Sequence, residues 1–230
     1  MPSVRCALAE WQVVRARLVR TRLGVWLAAL AIAALALPGP ADPDGTARTA
    51  VRVGLLAAAL AVAFGAGSDA DRAALRLTLG HPTTPGAVAA GRALAAMIVA
   101  DLVVLAVVAG CAWRDGWLDP RLSRAAVAGL AAAAAGTGCA LAAAWTAGNG
   151  LVGALFLHFA LLSAVAPGGL VPLFGSHPIV AVASAVWRVL PGTWRAAPLA
   201  AGDIGSWLHA LAWGAGGTAT AALQLGRRRA

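Results

Sequence analysis

The stretch Arg92–Trp113 decides the fold. It reads RALAAMIVADLVVLAVVAGCAW and holds only two charged residues, Arg92 and Asp101. The hydrocarbon core of a bilayer, about 30 Å thick, is crossed by roughly 20 apolar helical residues. Similar blocks recur through the 230-residue chain, which is 60% hydrophobic and 12% charged. Because soluble domains carry about 25% charged residues, the composition predicts an all-α integral membrane protein.

Six apolar blocks are predicted to span the membrane, and the whole chain, 1–230, is predicted to form one transmembrane domain. The blocks are 23–38, 50–66, 92–113, 124–146, 150–167 and 206–226. The first and the fifth are short, so they need a thinned bilayer or interfacial anchors to cross. Tryptophans near the block ends are typical of the two membrane interfaces. They are Trp26, Trp113, Trp117, Trp145, Trp207 and Trp213.

Two segments are predicted to lie at the interface rather than to span it. Residues 4–22 combine an apolar stripe with arginines, which indicates an amphipathic helix on the membrane surface. A signal peptide is the alternative, but the charged region is too long and further spans follow. Residues 168–205 contain an apolar stretch, 178–187, that is too short to cross. Bounded by Pro178 and Pro191, it predicts a re-entrant or interfacial helix on the outer side.

The arginines predict the topology. All 18 basic residues are Arg and the net charge is +9, but they flank apolar blocks, which favours a membrane role over nucleic-acid binding. With the N-terminus inside, the cytoplasmic set is Arg5, Arg15, Arg17, Arg20, Arg22, Arg72, Arg76, Arg92, Arg227, Arg228 and Arg229. The outer set is Arg48, Arg52, Arg114, Arg121, Arg124, Arg188 and Arg195. Eleven against seven predicts both termini on the cytoplasmic side of a bacterial inner membrane.

Few polar residues fall inside the predicted spans. Asp101 lies near mid-membrane, where a carboxylate is expensive and functional by default. His158, half-way through the fifth block, is its candidate partner, and an Asp101 that only ties helices together is the alternative. His177 and His209 are interpreted as interfacial histidines. The three cysteines have no metal-ligand spacing, and no cofactor or metal is predicted.

The loop between the second and third spans is the most informative for function. A charged start, a short amphipathic helix and a proline break predict a helix parallel to the membrane that docks on a soluble partner. An ordinary solvated loop is the alternative. The residues predicted to couple to the partner are Asp69, Asp71, Arg72, Leu75, Arg76, Leu79 and Pro82.

This pattern resembles the permease subunits of type-two ABC transporters. Those proteins open with an interfacial helix that contains a Glu and trailing arginines, as Glu10, Trp11 and Arg15 do here. They also carry a similar cytoplasmic loop, which Asp71, Leu79 and Pro82 match in outline, and a re-entrant outer segment before the last span. The usual Glu and Gly of that loop are missing here. The chain's size and its Gly148-Asn149-Gly150 turn most resemble the haem-exporter B-type permease of cytochrome c maturation.

The resemblance implies a half-transporter. Two copies, or this chain and a second permease, would pair in the lipid, and separate ATPase subunits would supply the energy for export of haem, lipid or drug. The chain itself is predicted not to be an enzyme and to bind no nucleotide, because it has no Lys for a phosphate-binding loop. The alternatives are a membrane enzyme in which Asp101, His158 and His209 converge, and an assembly scaffold without transport activity.

Overall fold

A computed structural model of the chain describes residues 2–36, 45–66, 84–115, 120–162 and 175–229, with the single positions 169 and 172. Every regular element within these ranges is a helix. The prediction of an all-α fold is therefore confirmed for the described residues. The coupling loop 69–82 lies outside them, so its helix and its docking residues stay predictions.

Nine α-helices make up the described part of the chain. In order they are α1 (Pro2–Arg20), α2 (Leu23–Ala36), α3 (Gly45–Ala61), α4 (Pro85–Asp115), α5 (Pro120–Ala147), α6 (Asn149–Leu157), α7 (Pro178–Val189), α8 (Ala196–Ala200) and α9 (Ile204–Arg229). Two of them end in a wider π-helical turn, which continues α3 over Val62–Ala66 and α6 over His158–Leu162. A 3₁₀ turn, Thr193–Arg195, precedes α8.

Three of the described helices are long and apolar enough to cross a bilayer. They are Gly45–Ala66, Pro85–Arg114 and Pro120–Ala147, and they coincide with the second, third and fourth predicted spans. The first and fifth blocks form α2 and α6, whose apolar helices Leu23–Ala34 and Asn149–Leu161 are shorter. The sixth block forms α9, which is 26 residues long but more polar. Three helices thus have the length and composition of membrane spans, and six spans remain a prediction.

The helices pack through glycine and alanine. A Cβ atom added at Gly54 of α3 would lie 2.6 Å from the carbonyl oxygen of Gly129 in α5. One at Gly138 of α5 would meet the backbone of Trp213 and Gly214 in α9. Such close backbone approach is how helices associate in lipid, where small residues form the contact surfaces. In each contacting pair, residues later in one helix contact residues later in the other. Helices α3, α5 and α9 therefore run parallel.

Helix α4 runs antiparallel to these three. Arg92 in its second turn reaches the end of α3, where its Nη1 donates to the carbonyl of Ala66 at 3.2 Å. Val104, further along α4, packs against Gly54 and Gly129, which lie in the first halves of α3 and α5. One end of the bundle therefore collects the ends of α3, α5 and α9 with the start of α4.

Large apolar side chains lie on the outside of the described structure. Trp113 is 82% exposed and Val19 is 77% exposed, whereas the buried residues are mainly Ala with some Val and Leu. In water this distribution would be unfavourable, since large exposed apolar surfaces mark contact with another phase or partner. A bundle surrounded by lipid tails needs no such burial. The side-chain distribution therefore agrees with the membrane-spanning character of the long helices.

Two predicted interfacial segments are helical. The segment 4–22 forms α1, which packs against α4 and buries Val14 of the predicted apolar stripe. The segment around 178–187 forms α7, which begins at Pro178 and ends just before Pro191 as predicted. Its residues Ile179, Val182, Val186 and Val189 are exposed and share one face. The re-entrant path of 168–205 itself is not shown and stays a prediction.

We predict that Gly217→Ala lowers the free energy of unfolding by about 1–3 kcal/mol, the usual cost of overpacking. The added methyl group would clash with the carbonyl group of Gly138. Because these are backbone atoms, relief of the clash requires a shift of the whole helix. Gly216→Ala is the matched control, because a Cβ there meets nothing within 4 Å, and alanine favours a helix by up to about 1 kcal/mol. Thermal unfolding in one detergent compares them. Equal midpoints would contradict the close contact between α5 and α9.

Candidate functional site

The main candidate site is a groove between α4, α5 and α9, with a volume of about 940 Å³. Asp101 and Met97 line it from α4, Thr137 from α5, and Trp207 and Thr218 from α9. The rest of its wall is almost entirely apolar. Leu94, Val127 and Leu211 in its lining are exposed, so the groove opens on the surface of the bundle. Its size falls within the range of about 300–1,000 Å³ for ligand pockets.

Two polar atoms in this groove have no hydrogen-bond partner in the described part of the chain. They are Oδ1 of Asp101 and Oγ1 of Thr137, and both atoms are buried. A buried polar atom without a partner costs about 1–3 kcal/mol, and more when the group is charged. Because the two residues line one groove from neighbouring helices, a polar group of a bound ligand could supply a partner to either atom. The sequence identified Asp101 as a candidate but gave no signal for Thr137.

His158 does not pair with Asp101. Its ring packs edge-on against the indole of Trp187 in α7, with the ring centroids 4.6 Å apart, and it also contacts Phe159. None of the hydrogen bonds or ion pairs between described residues joins it to Asp101, which faces the groove. The predicted Asp101–His158 contact is therefore absent. The error arose because depth along a span does not fix which face of the bundle a side chain occupies.

The two histidines predicted to lie at the membrane interface have structural partners around α7. Nδ1 of His177 accepts a hydrogen bond from the backbone N–H of Ile179 at 3.2 Å, which caps the start of this helix. At its end, Nε2 of His209 lies 2.8 Å from the carbonyl oxygen of Val189. The indole N–H of Trp213 donates to the same oxygen at 2.5 Å. The contacts of His209 and Trp213 join the end of α7 to α9, whereas the His177 contact is local to the start of α7. All of them satisfy terminal groups that a helix leaves unpaired.

The turn before α9 is also capped. Oδ2 of Asp203 accepts a hydrogen bond from the N–H of Ser206 at 2.7 Å, the arrangement of an N-cap residue. Hydrogen bonds from the hydroxyl and the N–H of Ser206 keep the pKa of the exposed Asp203 carboxyl below its usual range. The guanidinium of Arg195 adds a smaller effect in the same direction. Asp203 is therefore a charged cap rather than a site residue.

Arg92 forms an anchor that the sequence did not reveal. It is only 1% exposed, and its guanidinium lies 5.3 Å from the ring centre of Trp145. With its hydrogen bond to Ala66, it joins the start of α4 to the ends of α3 and α5. The sequence placed Arg92 at the start of a span and Trp145 at the membrane interface. The helix that contains Arg92 begins at Pro85, and the side chains of Arg92 and Trp145 are both buried and in contact.

The predicted residues of the interfacial helix are only partly described. Trp11 is half-buried and Arg15 is exposed, which agrees with a helix that has one packed face and one charged face. The side chain of Glu10 lies outside the described residues. So do Asp69, Asp71, Arg72, Leu75, Arg76, Leu79 and Pro82 of the coupling loop. Within the described ranges, no three His, Cys, Asp or Glu side chains form a group that could hold a metal ion.

No protein-family model, curated protein or solved structure matches this chain. The resemblance to type-two ABC permeases therefore rests on the residues of the sequence.

We predict that Arg92→Ala lowers the free energy of unfolding by about 2–4 kcal/mol. The substitution removes a cation–π contact and leaves a cavity between three helices. Arg124→Ala is the control, because Arg124 is exposed on α5 and surface substitutions usually change stability by less than about 0.5 kcal/mol. Chemical denaturation in detergent measures both. A loss at Arg92 no larger than that at Arg124 would show that the anchor contributes little.

We predict that Thr137→Val leaves stability unchanged or raises it by about 1 kcal/mol, because a buried hydroxyl without a partner is replaced by a methyl group. Thr218→Val is the comparison within the same groove. Its hydroxyl donates to the carbonyl of Gly214 at 2.7 Å, so the substitution removes a hydrogen bond that is made and should not stabilise. The denaturation midpoints of the two variants test this predicted order of stability. Clear destabilisation by Thr137→Val would mean that its hydroxyl has a partner.

Proposed function

We propose that this chain is the membrane-spanning permease subunit of an ATP-driven ABC exporter, and that its groove binds a hydrophobic or amphipathic substrate. The observation that carries the proposal is the groove itself. An apolar wall with a carboxylate and a hydroxyl that lack partners suits a ligand that is mostly apolar and has a polar group. Haem, lipids and drugs are the substrate classes that the resemblance implies.

The position of the Arg92 anchor supports a coupled mechanism. The coupling loop joins the end of α3 to the start of α4, and Arg92 links these two helices close to the loop. A displacement of the loop by an ATPase subunit would act first on this end of the bundle. Because Arg92 also contacts Trp145, the same displacement would reach α5. Helix α4 carries both Arg92 and Asp101, so it connects the loop to the groove.

A second copy of the chain, or a second permease, is the partner expected beside the groove. The exposed rim at Leu94 and Leu211 provides an apolar border that a neighbouring helix could cover. A groove closed from outside in this way would enclose the substrate between two subunits. Lipids would cover the remaining exposed faces.

The enzyme alternative receives less support. It requires Asp101, His158 and His209 to converge, but their contacts place them in three surroundings. Asp101 lines the groove, His158 packs against Trp187, and His209 lies beside the carbonyl of Val189. The scaffold alternative differs from the permease only in its activity. Measurement of ATP hydrolysis and of the effect of groove substitutions separates the two.

The test is purification of the intact chain from bacterial membranes together with the proteins that remain bound to it. We expect a nucleotide-binding subunit in the complex and an ATPase rate above that of this subunit alone. Asp101→Asn should lower substrate-dependent ATPase activity by about tenfold, the effect of losing about 1.4 kcal/mol of a charge-assisted contact. The complex should still assemble, because the two side chains have nearly the same shape.

Asp203→Asn is the matched control for this experiment. It makes the same chemical change outside the groove, and Asn caps a helix about as well as Asp. Activity should therefore match that of the unmodified chain. A monodisperse chain that binds no ATPase subunit would contradict the permease proposal. A bound ATPase whose rate is the same in both variants would leave the permease in place and remove the groove as its substrate site.

A further inference from the structure

A second cavity lies on the other side of the bundle, between α2, α3, the turn after α6 and the 3₁₀ turn at Thr193. Its volume is about 640 Å³. Arg48 and Arg52 line it from α3, and Leu30, Leu56 and Trp194 are among its apolar residues. The described residues that line it include two arginines and no carboxylate. The cavity therefore places two cations beside a mainly apolar wall.

The wall formed by α3 changes from charged to apolar along one helix face. Arg48, Arg52 and Leu56 are spaced by four residues, so they follow each other on the same face. Each step is about 6 Å along the helix axis. Leu30 and Ala34 of α2 and Ala160 of the α6 turn extend the apolar part. The cavity therefore has a charged region and an apolar region about 6–12 Å apart.

Arg52 has a side-chain atom that the described fold leaves without a partner. Its Nε atom is buried, and within the described residues it has no hydrogen-bond partner. This differs from Arg92, whose guanidinium has a carbonyl and an aromatic ring. The Nε atom of Arg195 also has no hydrogen-bond partner within the described residues. Its Nη atoms, however, donate to the Ser206 hydroxyl and the Arg188 carbonyl, and its guanidinium lies 4.2 Å from the ring centre of Trp194. A guanidinium donates several hydrogen bonds in a planar fork that matches phosphate and carboxylate oxygens.

We propose that this cavity binds an anionic phospholipid. Its phosphate group accepts hydrogen bonds from Arg48 and Arg52, and an acyl chain lies along Leu30, Ala34 and Leu56. A phosphate on a hydrocarbon chain matches the sequence of charged and apolar regions along α3. A soluble anion would fill the charged region and leave the apolar region empty. The stack of Arg195 on Trp194 fixes one wall of the cavity.

The lipid site is independent of the proposed function. It lies in a different cavity from the Asp101 groove, and its residues include none of the groove residues. A resident lipid could bind whether the chain is a permease, an enzyme or a scaffold. Failure of one proposal therefore leaves the other unchanged.

The test is native mass spectrometry of the full chain, purified in detergent and titrated with palmitoyl-oleoyl phosphatidylglycerol. We expect a one-to-one adduct that forms at least about tenfold more tightly than the adduct with palmitoyl-oleoyl phosphatidylcholine. In the double variant Arg48→Gln/Arg52→Gln the affinity for phosphatidylglycerol should fall by about tenfold or more, as expected for loss of charge-assisted hydrogen bonds. The double variant Arg121→Gln/Arg124→Gln loses the same charge on the exposed start of α5 and should bind like the unmodified chain.

Two further arms separate the lipid from a free anion and from a folding defect. Ala34→Phe fills the apolar region and keeps both arginines, so it should weaken phosphatidylglycerol binding by about tenfold or more. If the double Gln variant is not monodisperse and so cannot be measured, phosphatidylglycerol binding by Ala34→Phe tests the proposed site instead. Glycerol 3-phosphate at the same concentration should not displace the lipid. Displacement by it, or equal lipid affinity in the unmodified chain and the cavity variants, would overturn the proposal.

Discussion

The close approach of α3, α5 and α9 is the constraint on which the rest of the structure depends. These helices have glycine where their backbones touch, and the contact between Gly138 and Gly217 leaves no space even for a methyl group. In lipid there is no hydrophobic effect to drive helices together, so stability comes from many short contacts between well-fitted surfaces. The described interior is accordingly rich in alanine, and many large apolar side chains lie on the outside, although a few such as Trp145 and Phe159 are buried.

The two cavities lie beside this tightly packed core. Glycine and alanine bring three parallel helices together. The groove lies between α4, α5 and α9, and the second cavity lies between α2 and α3. In each of them a buried polar atom, Oδ1 of Asp101 or Nε of Arg52, has no hydrogen-bond partner within the described residues. These are the two places at which we propose that a ligand binds.

Sequence patterns predicted the helices better than the contacts between them. Length and hydropathy located α3, α4 and α5, and Pro178 and Pro191 fixed the limits of α7. A search for glycine within the apolar blocks selects Gly129, Gly136 and Gly138, which do lie at helix contacts. It also selects Gly216, which faces open space. The depth given to Asp101 stays a prediction, and His158, its predicted partner, packs against Trp187 instead. Depth is a property of one helix, whereas the facing direction depends on how several helices pack, and periodicity in an Ala-rich sequence carries little information about this.

Arginine shows most clearly what a linear sequence cannot express. When the charges on each side of a membrane are counted, Arg92, Arg195 and Arg52 each contribute one positive charge and nothing distinguishes them. Their surroundings are not equivalent. Arg92 is buried against a carbonyl and an indole, and Arg195 stacks on Trp194, so both serve the fold. Within the described residues the guanidinium of Arg52 has no such ring or carbonyl contact, and its buried Nε has no hydrogen-bond partner. The charge rule favours few arginines on the predicted outer side. A structural or ligand-binding role gives a physical reason why the chain retains Arg52 and Arg195 there.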